Sequence, residues 1–168
     1  MVVDMLARRH GMNVKARRGK AVIGEGQIAG EKVILVKPMT FMNLSGRSVR
    51  QAVQFYKLDP ATDLMVICDD ISLPLGKLRI RPKGSDGGQK GLRDLIAQLG
   101  TQDFPRLRIG VGDPGPIDAA EYVLGRWRNT ERPVIDDALI EATQAIAVWV
   151  TQGLEAAMNR YNRAASLE

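Results

Sequence analysis

The sequence predicts an α/β protein: a single three-layer α/β/α domain around a mixed, mostly parallel sheet, spanning residues 1–163. Three observations carry this. Segments with helical apolar spacing alternate with short β-type runs along the chain, the pattern of helices laid on the faces of a sheet. Two β-type runs, Ala21 to Gln27 and Lys32 to Lys37, flank the turn Ile28-Ala29-Gly30-Glu31 and read as a hairpin, so at least one strand pair is antiparallel. An apolar stretch from Leu64 to Cys68 then has the character of a buried strand. At 168 residues the chain is long enough to bury one core.

The elements follow in order. Val2, Val3, Leu6 and Ala7 share one face of a helix over 2–10, with Arg8, Arg9 and His10 in its last turn and Gly11 as its stop. The hairpin comes next, and Pro38 ends its second strand. TFMNLSG, residues 40–46, leads into a helix with Val49, Ala52, Val53 and Tyr56 at helical spacing, and Asn43 or Ser45 is placed to cap it. Asp59-Pro60 breaks that helix ahead of the Leu64 strand, which runs into the adjacent carboxylates Asp69 and Asp70. A Pro74/Gly76 turn, a basic alternating segment from Lys77 to Arg81 and a glycine-rich loop from Lys83 to Gly91 precede an amphipathic helix from Leu92. Leu107 to Val111 is a short strand, GDPGP (112–116) a turn-rich loop and 118–124 a short helix. The last long helix starts near Pro133 and carries the stripe Ile135, Leu139, Ala142, Ile146, Trp149 and Val150. Gly153 interrupts it, and Leu154 to Tyr161 continues as a separate turn or helix. The tail at 164–168 has the composition of a cloning remnant and carries no weight.

Composition narrows the function classes. No apolar run approaches the length of a membrane span, and the first eleven residues mix acidic and basic groups in an amphipathic pattern unlike a signal peptide. One cysteine excludes an intramolecular disulfide, and with one histidine it argues against a protein-built metal site. A cytoplasmic protein is expected. The net charge of +5 is modest, so its placement matters more than its size. Basic residues gather in Arg8–Arg9, Lys15–Lys20, Lys77–Lys83 and Arg126–Arg128, while acids concentrate in Glu131–Glu141. A polyanionic partner and a merely solvated basic face are both open on this ground.

Several residues could carry chemistry. Asp69 and Asp70 follow a buried strand, so alternation turns one inward and the other toward a crevice, where a carboxylate can orient a histidine, act as a base or hold a metal. The plainer reading is a turn acid beside Pro74. KGSDGGQKG can cradle a phosphate on its backbone amides, aided by Lys83 and Lys90, or can be a surface loop; it matches neither GxxxxGK[ST] nor GxGxxG. The amide of Asn43 offers both donor and acceptor to a water or an oxyanion, or it caps the helix, with Phe41 and Met42 as core. His10, between Arg9 and Gly11, reads as a residue facing a helix C-terminus rather than a catalytic base. Cys68 reads as an inert thiol whose pKa its neighbouring carboxylates raise.

Four ordered pieces, KPMTFMNLSG (37–46), CDDISLPLGKLRIR (68–81), KGSDGGQKGLRDLI (83–96) and FPRLRIGVGDPG (104–115), with a weaker fifth, YVLGRW (122–127), together resemble the bacterial peptidyl-tRNA hydrolase family over nearly the whole chain. The resemblance implies that family's fold and an enzyme that cleaves the ester between a peptide and the 3′ ribose of tRNA, recycling tRNA from abortive translation. It further implies a monomer working on peptidyl-tRNA without metal or other cofactor and away from membranes. By the same resemblance Asp69 matches the aspartate that orients a water-activating histidine, and Asn43 matches the substrate-positioning asparagine. Met42 packs beside the site with Phe41 next to it. Gly87 and Gly88 match the glycine pair of the loop bordering the peptide channel, and Lys90 follows them there. Lys77, Arg79, Arg81, Lys83, Arg106 and Arg108 belong to the basic surface facing tRNA.

Two departures qualify this. The family's pattern opens with a strand, a GLGNPG-like loop and a TRHN-like segment ahead of the helix matched by residues 1–10, and this sequence holds none of them. His10 falls at the far end of that helix and does not match the family's catalytic histidine. Where the family has His-Asn after the glycine pair, Gln89-Lys90 stands here, and Lys90 keeps a donor while losing the amide's acceptor. The expectations are a chain without its first strand, inactive or nearly so, because losing general-base assistance costs on the order of 10²–10⁴ in rate. It is also expected to be less stable, because two strand edges lose their cover. A start placed too late, at Met1, accounts for this without a new function. The alternative is a non-catalytic RNA-binding protein on the same scaffold, favoured by Lys90 and the basic loops. Asn43 and Asp69 favour the enzyme, since binding alone has no need of them.

Overall fold

Short connections settle much of the strand pairing. Ala29 and Gly30 take φ of 50° and 85°, the left-handed pair that a type I′ turn requires and whose twist matches the strands it joins. β2 (Ala21–Ile28) and β3 (Glu31–Pro38) accordingly run antiparallel, in register from Ile28↔Glu31 to Ala21↔Pro38. This is the hairpin that the sequence predicts. A further strand, β1 (Ala16–Arg18), lies antiparallel on the other side of β2.

The computed structural model describes residues 2–18, 21–38, 45–112 and 128–162. The expected TFMNLSG segment up to Leu44, the loop beyond Gly112, the helix at 118–124 and the tail at 164–168 lie outside the described residues. Among the described residues no helix is long and apolar enough to cross a membrane. The chain divides into two compact units, one of Val3–Met65 with Pro82–Pro105 and one of Val66–Arg81 with Arg106–Glu168.

In the first unit the β1–β2–β3 sheet is joined by helices. α1 (Val2–Arg9) buries Leu6 and Ala7 and ends at Gly11, whose φ of 63° is the left-handed stop that the sequence predicts. α2 (Ser45–Phe55) packs on β3 and on α4 (Lys90–Leu99), with Ala52, Val53, Leu92 and Leu95 buried. Between them α3 (Pro60–Asp63) is a single turn. Asp59 accepts from the Ala61 amide at 3.0 Å, and Asp63 accepts from the Asp59 amide at 2.8 Å, a reciprocal cap on a proline-led start.

In the second unit β6 (Arg106–Gly110) is the centre of a sheet in the order β4–β6–β5. β4 (Val66–Asp70) runs parallel to it and β5 (Leu78–Arg81) antiparallel. α5 (Arg132–Gln152) buries Ile135, Leu139, Ala142 and Ile146 as the stripe predicts, Gly153 ends it, and α6 (Leu154–Tyr161) follows and packs on β5. Asn162, capping α6, accepts from the Ile80 amide at 2.7 Å and donates to the Ile80 carbonyl at 2.8 Å, which occupies an edge that β5 would otherwise leave open. The Pro74/Gly76 turn folds onto the end of β6. Gly110 donates to the Lys77 carbonyl at 2.7 Å and accepts from Gly76 at 2.9 Å, and a methyl group at Gly110 would overlap the Pro74 carbonyl oxygen.

The α/β class and the mixed sheet stand. Among the described residues the strands fall into two three-stranded sheets, in which β4 and β6 pair in parallel and the other pairs are antiparallel. A parallel pair needs a crossover of about a dozen residues or more, which the chain supplies between β4 and β6 but not within the β1–β2–β3 meander.

Candidate functional site

Side chains alternate along a strand, so the register of β4–β6–β5 decides which of them share a face. The pairs Ile67↔Leu107, Asp69↔Ile109, Leu78↔Ile109 and Ile80↔Leu107 lie on one face. The pairs Val66↔Arg106, Cys68↔Arg108, Arg79↔Arg108 and Arg81↔Arg106 lie on the other. The first face is apolar, with Leu78, Ile80, Leu107 and Ile109 buried and Asp69 at its β4 end. The second is a block of guanidinium groups with Cys68 and Asp70 beside it. The two carboxylates thus separate onto opposite faces, as alternation requires.

Asp70 is held from two sides. Its Oδ1 accepts from the Ser72 amide at 2.8 Å and the Ser72 hydroxyl at 2.5 Å, the turn-acid role that its position beside Pro74 allows. Its Oδ2 lies 3.4 Å from Arg108 Nη1 in an ion pair whose members are 12% and 24% exposed. One carboxylate does not saturate this cluster. Among the described residues the Nε atoms of Arg79 and Arg108 are buried and have no hydrogen-bond partner, a state that costs about 1–3 kcal/mol for each group until an acceptor arrives. Arg106 is 0% exposed, and burial holds its guanidinium below its ordinary value.

Cys68 is an inert thiol, as the sequence suggests, but chiefly for another reason. Burial pushes its pKa up to about 12, the charge of Asp69 adds to this, and Arg108 and Arg106 oppose it. The adjacent carboxylate is the second cause, not the first.

The glycine-rich loop belongs to the first unit. Gly87 and Gly88 take φ of 58° and 85°, which non-glycine residues adopt rarely. Asp86 Oδ1 accepts from the Gly88 amide at 2.7 Å, and its Oδ2 lies 3.4 Å from Arg93 Nε. The Gly88 hydrogen bond, with Arg93 behind it, holds the Asp86 carboxyl below the usual range. Gln89 caps α4 by accepting from the Leu92 amide at 2.7 Å, so the helix begins at Lys90 rather than Leu92. The amides of Gly84, Gly88 and Gln89 in the expected phosphate cradle, and that of Leu92 at the helix start, are therefore already bonded within the protein. Lys83 and Lys90 are exposed beside them.

The predicted residues fall into three groups. Asp69, Lys77, Arg79, Arg81, Arg106 and Arg108 lie in the second unit on β4, β5, β6 and the turn before β5. Lys83, Gly87, Gly88 and Lys90 lie in the first. Phe41, Met42 and Asn43 lie outside the described residues. His10 ends α1, half-buried, with its amide donating to the Leu6 carbonyl at 3.0 Å, the place its sequence context gives it. Among the described residues no group of three or more His, Cys, Asp or Glu side chains is gathered as a metal site. Sequence reasoning missed two residues. Gln89 carries a local signal, an amide side chain three positions ahead of the bonded Leu92. Asp94, whose Oδ2 accepts from the Gly46 amide at 2.6 Å, carries none, since its partner is 48 positions away.

Comparison with known proteins adds independent evidence. The profile of the family described as peptidyl-tRNA hydrolase matches residues 1–168. A peptidyl-tRNA hydrolase of Chloroflexus aggregans is 52% identical over 161 residues, covering 95% of this chain and 86% of the relative. One of Alkaliphilus oremlandii is 51% identical over 160 residues, with the same coverage of 95% and 86%. The crystal structure of peptidyl-tRNA hydrolase from Acinetobacter baumannii matches with a TM-score of 0.89 at 33% identity, covering 96% of this chain and 82% of that one.

Proposed function

The chain belongs to the peptidyl-tRNA hydrolase family, and on that premise we propose that it hydrolyses the ester between a peptide and the 3′ ribose of tRNA, with Asp69 and Asn43 in the catalytic machinery. Water adds to the ester carbonyl, the bond from that carbon to the 3′ oxygen of tRNA breaks, one proton of the water passes to the departing 3′ oxygen, and the other is released to solvent as the peptide ionises to its carboxylate. In a version extended with the family's strand-to-histidine segment, Asp69, at the end of β4, would orient the imidazole that takes the proton from water, since a carboxylate on one ring nitrogen fixes the tautomer of the other. No residue of this sequence matches the family's histidine. Asn43 holds substrate or water through its amide, with Met42 and Phe41 beside it, and Gly87, Gly88 and Lys90 border the peptide.

The observation that carries the substrate class is the family match, and the guanidinium face that pairs Arg79 with Arg108 is in keeping with it. Guanidinium groups that reach solvent pair well with phosphodiester oxygens, and neutralising phosphates releases counterions. Lys77 and Arg81 extend the same basic face, and on the family's pattern Lys83 also contacts tRNA. Arg106, fully buried, supports it through the rung it shares with Arg81. On the family's pattern the protein is a cytoplasmic monomer that needs no metal, acting as one domain over 1–163.

The test is turnover of a labelled N-blocked aminoacyl-tRNA by this chain and by a version extended with the family's strand-to-histidine segment. In whichever version cleaves, Asp69→Asn is expected to lower kcat by about 10² or more with KM little changed. If neither cleaves while both bind tRNA, the hydrolytic reading is overturned. If the 168-residue chain cleaves and Asp69→Asn leaves it unchanged, the role of Asp69 is wrong and His10 becomes the first residue to substitute.

A further inference from the structure

We propose that Asp94 is a positioning residue: it clasps the start of α2 to α4, the helix that carries the glycine-rich loop, and so couples that helix start to the loop. The first amides of a helix have no intrahelical acceptor and sit at the positive end of its dipole. In α2 the Gly46 amide is bonded at 2.6 Å to Asp94 Oδ2, a short bond to a carboxylate one turn into α4. The approach is close enough to demand glycine, because a Cβ on Gly46 would lie 2.6 Å from the Asp94 carbonyl oxygen and 2.8 Å from its carbonyl carbon. The neighbouring residue, Arg93, reaches the other way. Its Nε is 3.4 Å from Asp86 Oδ2, and Asp86 Oδ1 takes the Gly88 amide at 2.7 Å.

Consecutive side chains of α4 thus hold both segments, Asp94 the start of α2 and Arg93 the glycine loop. Asn43 stands three positions before Gly46 in the sequence. Positioning groups lose effect when displaced by as little as about 1 Å. The catalytic half of this proposal rests on the reading of Asn43 given above; the mechanical half does not.

Hydrogen exchange on the full chain tests the mechanical half. Asp94→Ala is expected to speed exchange at least about tenfold in both 45–55 and 84–91 while β2 and β3 keep their protection. Asp94→Asn, which keeps an acceptor oxygen, recovers part of it. In a version that cleaves N-blocked aminoacyl-tRNA, Asp94→Ala lowers kcat about tenfold or more with KM nearly unchanged, and Asp94→Asn again recovers part. Faster exchange confined to 45–55 reduces Asp94 to a helix cap and overturns the coupling. Faster exchange throughout the chain, or kcat unchanged in a cleaving version, overturns the positioning role. If neither the 168-residue chain nor the extended version cleaves, the functional reading fails while exchange still decides the coupling.

Discussion

The two faces of the β4–β6–β5 sheet are made from the same three short strands, yet they solve opposite problems. One carries Leu78, Ile80, Leu107 and Ile109, all buried, and its stability follows from apolar area removed from water. The other carries Arg79, Arg81, Arg106 and Arg108 around Cys68 and Asp70, and leaves two guanidinium nitrogens without acceptors. A period of two is enough to divide labour in this way. Every second residue of a strand supports the apolar core, which leaves the residues between them to carry charge on the other face. The contrast makes sharp demands, because substitutions one position apart should differ in kind as well as in size.

The largest effect belongs to the apolar face. Leu107 is 0% exposed at the centre of the sheet, so Leu107→Ala should lose about 2–5 kcal/mol of unfolding free energy through lost burial and the cavity left behind. Denaturant titration measures this directly. A loss under about 1 kcal/mol would mean that the face is not a closed core, and the division between the faces would fail.

Cys68 sharpens the comparison from the other side, because it shares the arginine face and is nevertheless withdrawn from water. Its pKa is pushed up to about 12 from an ordinary 9.0, first by burial and then by Asp69. The folded protein therefore keeps this proton where the unfolded chain gives it up. Stability tied to the thiol is whole below about pH 9 and is lost as the pH rises toward 12, at about 1.4 kcal/mol per pH unit. The difference in unfolding free energy between wild type and Cys68→Ala isolates this from other groups that titrate in the same range. It should change across that window and stay flat below it. A difference that stays flat throughout would mean that the middle of the arginine face is open to solvent.

Legibility in the sequence follows the same division. The hairpin, Gly11, Gly153 and the Ile135–Ile146 part of the stripe were readable because each depends on a local rule of turn chemistry or periodicity, whereas β4 begins two residues later than its apolar run suggests and Trp149 and Val150 are only half-buried. β1 was not, since Lys15-Ala16-Arg17-Arg18 shows no apolar alternation and becomes a strand only by pairing with β2. The division of the strands into two sheets was also hidden, because period-two alternation identifies a strand and not its neighbour. At the site, the opposite facing of Asp69 and Asp70 followed from the pleat. The Arg79↔Arg108 rung did not, because cross-strand register between segments about 30 residues apart has no local signature. Asp94 was invisible for the same reason.

The smallest change in stability should come from the arginine face, with a sign that no core residue would give. Arg79 keeps a buried Nε without a partner, so the free protein bears the desolvation of that group with no hydrogen bond to offset it. Arg79→Met keeps much of the side-chain volume and removes the orphaned donor, and unfolding free energy should stay level or rise by up to about 1 kcal/mol. tRNA binding should move the other way. Affinity should fall at every salt concentration, and the slope of log K against log salt should become shallower by about 1, the share of a single phosphate contact. The two measurements must separate, because one reads the free protein and the other the complex. If Arg79→Met loses stability like Leu107→Ala and leaves the salt slope untouched, Arg79 belongs to the core, and the two faces differ only in composition.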